Sequence, residues 1–133
     1  MPSTCIDSDR AGYEQALAAA PGAVRLPGGV AISTCAQRVR TDAELQNLGA
    51  VLHGVAEELA DRAGRGEDAA AVRLGYLSGA VSAGAAQSSG IAAELARRIE
   101  TAGVGLTDAR DPDVPRGIPR ALRVGQAAGA ARG

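Results

Sequence analysis

"RLGYLSGAVSAGAAQSSGIAAEL", Arg73 to Leu95, decides how this chain folds. It holds four glycines and ten alanine or serine residues. Taken alone it reads as a membrane span, a flexible linker, or a helix that packs unusually close to something. Serines interrupt it, and no stretch of the chain reaches the roughly 20 apolar residues that cross a bilayer. Leu74, Leu77, Val81, Gly84, Ser88, Ile91 and Leu95 follow a three-four spacing, and Ile99 continues it. That spacing marks one face of a helix. Gly75, Gly79 and Gly84 each cost about 1 kcal/mol against alanine in a helix interior. Close approach of another backbone is the usual offset. The pattern predicts a helix over 67–102, bent or interrupted near Ser88-Ser89-Gly90 and ended by Gly103.

The clearest helix lies upstream, in "TDAELQNLGAVLHGVAEELADRAG". Thr41 and Glu44 have capping-box spacing, in which each side chain serves a backbone N–H at the helix start. Leu45, Leu48, Leu52, Val55 and Leu59 then share a face, widened by Val51. Glu58 and Arg62 are placed for an outward ion pair. Gly64 is expected to close the helix in the left-handed conformation. This helix is assigned to 41–63. The short "GRGE" connection makes it an antiparallel neighbour of 67–102. Gly49 and Gly54 add small residues to the same interface. Its other side is open between an earlier helix, the 41–63 helix and a second copy of the chain, and a homodimer is the preferred reading.

Residues 1–7 read as an extended arm carrying Cys5. Asp7, Ser8 and Asp9 offer N-cap oxygens for a helix over 8–20, stopped by Pro21-Gly22. Around Pro27-Gly28-Gly29 an extended connection is favoured over a tiny hairpin, because two short strands alone are marginal. Thr34 and Gln37 suggest a helical turn over 34–39. From 105 to 133 there are three prolines, five glycines and five arginines. That segment reads as an irregular arm, with a short last helix as the alternative.

The chain has 133 residues, enough for one domain. Leu, Ile and Val number 26, and Phe and Trp are absent, so the core is small and aliphatic. All 14 basic residues are arginine, as GC-rich coding would produce. The net charge of −1 and the lack of stacking aromatics argue against nucleic acid. The first residues carry no apolar signal core, so membrane attachment would need a segment outside this chain. Cys5 and Cys35 lack the neighbours of a metal site. They read either as two unrelated thiols or, preferably, as one disulfide. Such a bridge stabilises by roughly 3–4 kcal/mol in the chain-entropy view and persists outside the cytosol.

Catalytic signals are thin. His53 is the only histidine, and Glu57, four residues on, is its one helical partner. A lone pair of that kind is more often a boundary contact than a general base. Ser88-Ser89-Gly90 lacks the spacing of a nucleophile elbow. "GVGLTD" lacks the lysine of a phosphate loop, and "DARDPD" lacks the spacing of a calcium loop. No cofactor or metal signature is present.

"ISTCAQRV", "DAELQNLGAVL" and "RLGYLSGA" together resemble small extracytoplasmic helical proteins of high-GC bacteria, a group with no assigned activity. The resemblance covers roughly Cys5 to Gly103 and implies an exported helical module. The expected fold is therefore all-α. A small bundle is built on the antiparallel hairpin within a helical domain over 1–104, and an extended C-terminal arm follows. The expected function is a non-enzymatic, disulfide-stapled, extracytoplasmic interaction or structural module that acts on a protein partner. The alternative is an intracellular regulatory protein whose arm, bearing Arg110, Arg116, Arg120 and Arg123, folds on its partner.

Overall fold

Thr41 starts the longest helix as the capping box requires. Its hydroxyl accepts from the Glu44 N–H at 3.1 Å, and the Glu44 carboxylate accepts from the N–H groups of Thr41 at 3.1 Å and Arg40 at 2.9 Å. In this computed structural model, which describes residues 1–133, the chain is all-helical and has no strand. Its helices are α1 (Ser3–Asp7), α2 (Arg10–Leu17), α3 (Ile32–Gln37), α4 (Asp42–Gly64), α5 (Asp68–Ala86), α6 (Ala93–Gly103) and α7 (Ile118–Arg132).

The stripe Leu48, Leu52, Val55 and Leu59 on α4 is buried, as its spacing demands. The chain then reverses through Arg65 and Gly66. The left-handed residue is Gly66 at φ 97°, and Gly64 remains helical. Arg62 turns to Glu67 at 3.3 Å instead of pairing with Glu58, because the reversal brings the Glu67 carboxylate across the helix end.

α5 is the central helix. Leu74, Gly75, Tyr76, Leu77, Ser78, Gly79, Ala80 and Val81 are all buried, so no side of this stretch faces water. A helix buried all round needs neighbours on every face. It stops at Ala86, where the Ser88 hydroxyl donates to the Ala85 carbonyl at 2.7 Å and Gly90 takes φ 89°. Side-chain competition of this kind favours a break in the helix. The interruption read near Ser88-Ser89-Gly90 is therefore real, and it divides 67–102 into α5 and α6. α6 returns antiparallel, with Glu100 beside Ser82 and Gly103 beside Leu74.

The C-terminal segment departs most from the sequence reading. It is not an extended arm: 118–132 forms α7, with Pro119 in its first turn. α7 lies parallel to α5. Gly75 faces Leu122 to Gln126, and Gly79 faces Gln126 to Ala130. The reason is backbone packing. α7 buries Gly125, Ala128 and Gly129, which carry too little side chain to register as an apolar stripe.

Residues 1–7 also differ from an extended arm. α1 is a five-residue helix, held through Cys5 by tertiary contacts and not by propensity. The helix assigned to 8–20 ends at Leu17 and gives way to turns before Pro21. Its cap is Asp9, which accepts from the Gly12 N–H at 2.8 Å. α3 begins at Ile32, two residues before the turn assigned from Thr34 and Gln37, and no side chain caps it. The connection around Pro27 is not extended: residues 27–29 make a tight turn, with Gly28 and Gly29 at positive φ, closed by a single antiparallel bridge between Leu26 and Val30.

Candidate functional site

Cys5 and Cys35 form one disulfide, with 5.6 Å between their Cα atoms. Both are buried. The bridge ties α1 to α3. Tyr13 on α2 roofs it, donating its phenol to the Cys5 carbonyl at 2.7 Å. Tyr13 is fully buried, and that burial raises the phenol well above the ordinary tyrosine value.

The small-residue positions separate into distinct roles. Gly75 and Gly79 meet the backbone of α7. A Cβ at Gly75 would lie 2.8 Å from the Gln126 nitrogen, and one at Gly79 would lie 2.9 Å from the Ala130 nitrogen. Gly84 instead meets α3: a Cβ there would lie 2.9 Å from the Ser33 carbonyl carbon and 3.0 Å from the Ala36 Cβ. Gly54 sits under the Arg10 side chain of α2. Gly49 faces Leu95 of α6 at an ordinary 3.7 Å. The face that suggested a homodimer is thus filled from within the chain, by α7 and α3.

Tyr76 of α5 is fully buried. Its phenol oxygen accepts from the Val24 N–H at 2.9 Å. The same segment is clasped to the end of α7 in both directions. Arg25 donates to the Arg132 carbonyl at 2.9 Å, and Arg132 donates to the Pro21 carbonyl at 2.9 Å.

α4 and α6 run parallel and leave a groove of about 200 Å³ between Asp42, Leu45, Gln46, Glu94 and Arg98, floored by Gly49 and Leu95. Towards its far end His53 Nε2 lies 2.8 Å from Glu57 Oε1, with side-chain exposures of 46% and 64%. Arg97, Arg98 and Thr101 stand nearby. Both arginines are already taken up by the Glu94 carboxylate, Arg98 at 3.6 Å. Every charge here is open to water, where an ion pair gains little. The groove offers adhesive polar contacts over a small apolar floor. The buried side chains of the fold include one polar residue outside the tyrosines, Ser78.

The four arginines of the C-terminal segment divide. Arg110 pairs with Asp108 at 3.5 Å in the loop before α7. Arg116, Arg120 and Arg123 are exposed and make no ion pair or side-chain hydrogen bond. No sequence signal separated them, because their freedom depends on α7 being helical. No helix is long and apolar enough to cross a membrane. No family model matches the chain, and neither do curated proteins or solved structures.

Proposed function

We propose that the protein is a non-enzymatic interaction module that works in an oxidising, extracytoplasmic compartment. The Cys5–Cys35 disulfide carries this reading. Such bonds persist where thiols are not continually reduced. A thin aliphatic core gains most from a staple of this kind. The rest of the molecule fits a module that acts through its surface: its ionised groups lie outside the core, and its deepest polar groups serve the fold. Self-association through the glycine face does not belong to this reading, because α7 covers that face.

The test is a thiol count on protein trapped with an alkylating agent directly from its native host. Mass spectrometry with and without reductant then reads the bridge. A single intrachain Cys5–Cys35 bond is the expected result. Two alkylated thiols would overturn the compartment and turn the search to cytosolic partners.

A further inference from the structure

α7 carries all of its charge in one sign. Residues 116–133 contain four arginines and no acid, in a chain whose net charge is −1. The remainder of the protein is therefore acidic on balance, although it holds the other ten arginines, and 116–133 is a segment with positive charge uncompensated by any acidic side chain of its own. Arg132 is engaged with the Pro21 carbonyl. Arg116, Arg120 and Arg123 have no partner in the fold. Asp68 lies beside Gly117 at the start of α7, and it pairs with none of them.

Helical spacing sets these groups on a defined surface. Arg120, Val124, Ala127 and Ala131 lie along one exposed line, with Arg123 flanking it. Val124 is 46% exposed and is the only large apolar residue on that face. Towards the C-terminus the line is alanine, which leaves room for another helix to come close. The inner face of α7 is locked against α5 through Gly125 and Gly129, so the outer face is presented on a rigid support.

We infer that this outer face of α7 docks an acidic helical segment of a protein partner. The inference rests on the reading of the protein as an interaction module. Guanidinium groups meet carboxylates in paired hydrogen bonds, and charge complementarity of this kind sets partner choice and encounter rate. A nucleic acid is disfavoured, because single strands are held by stacking and both tyrosines are fully buried. A membrane is disfavoured, because one valine gives the face little to insert.

The experiment uses the full oxidised chain and a fluorescent synthetic helical peptide with glutamate at every third and fourth position. Anisotropy reads binding at low and at raised salt. Binding that weakens with salt and falls roughly tenfold in the double variant Arg120→Glu/Arg123→Glu supports the docking face. The charge-reversal control Arg38→Glu, on the exposed residue after α3 and away from α7 in sequence, is expected to bind like the parent. Equal loss in Arg38→Glu, or no loss in the double variant, overturns the proposal. Tighter binding to phosphatidylglycerol vesicles or to duplex DNA than to the peptide also overturns it. The thiol count is independent of these readouts, so failure of the compartment and failure of the docking face are separate results.

Discussion

Gly129 of α7 lies against the backbone of Tyr76 in α5, so close that a Cβ at 129 would stand 2.9 Å from the Tyr76 Cα. The relation is reciprocal. Gly75 and Gly79 on α5 receive the backbone of α7, and Gly125 and Gly129 on α7 receive the backbone of α5. Two glycine pairs of identical spacing interlock, and the two helices approach nearer than side chains would allow. Packing of this kind gains van der Waals contact and weak Cα–H to carbonyl contacts.

Replacing Gly79 by alanine is therefore expected to destabilise the protein by about 2–3 kcal/mol, although alanine is the better helix former by about 1 kcal/mol. Gly49→Ala provides the contrast. Its Cβ would meet only the Leu95 methyl at 3.7 Å, so propensity prevails and stability rises by about 0.5–1 kcal/mol. Urea unfolding of the two variants checks both signs. Equal effects would contradict the packing.

The Cys5–Cys35 bridge closes a loop across a sequence separation of 30. Replacing both cysteines by serine is expected to remove roughly 3–4 kcal/mol in the chain-entropy view. Both sulfurs are buried under Tyr13, so the folded protein should resist a reductant that readily acts on it in denaturant. Gel-shift alkylation over time measures this. Prompt reduction in the native state would contradict the burial.

Tyr13 links stability to alkaline pH. Its folded phenol titrates above the ordinary value of 10.0, because burial opposes the phenolate. The folded state thus holds its proton after the unfolded state has lost it. Stability is complete below about pH 10 and falls as pH rises beyond that. Tyr13→Phe should lessen this alkaline slope. It should also lower stability at neutral pH by about 1–3 kcal/mol, since the Cys5 carbonyl loses its donor. Denaturant midpoints across alkaline pH read both effects.

Glu44 acts at the other end of the scale. The Arg40 N–H hydrogen bond holds its carboxyl below the ordinary value of 4.5, with the Thr41 N–H adding to it. The folded state favours the carboxylate, so the contribution is present above the unfolded value and is lost as pH falls through the lower folded value. Glu44→Gln keeps an acceptor but does not titrate. The stability difference between parent and variant should shrink as pH drops below 4.5. A constant difference would place the carboxylate outside the capping box.

What the sequence disclosed and what it hid follow from the same physics. Thr41, Glu44 and the leucine stripe of α4 were legible because capping and burial there use large or polar side chains at fixed spacing. The bridge was legible because two cysteines allow one intrachain pairing. α7 was hidden because periodicity counts side chains, and half of its buried face is glycine or alanine. The available signal was the shared spacing of Gly75 and Gly79 with Gly125 and Gly129. α1 was hidden because five residues held by a distant cysteine leave no local mark. Of the candidate site, the His53–Glu57 pair was visible, but the groove beside it was not, since only folding brings Asp42 towards Glu94 and Arg98. The three unpaired arginines were visible as residues and not as a surface.

The C-terminal helix is completed within its own chain, so the proposed partner would meet a ready-built face. Native-state hydrogen exchange on the isolated protein tests it most directly. The amides from Leu122 to Ala128 are predicted to exchange as slowly as those of Leu74 to Ala80 in α5, through global unfolding. Exchange at the rate of a free peptide would show an arm that orders only on a partner, and it would contradict the account.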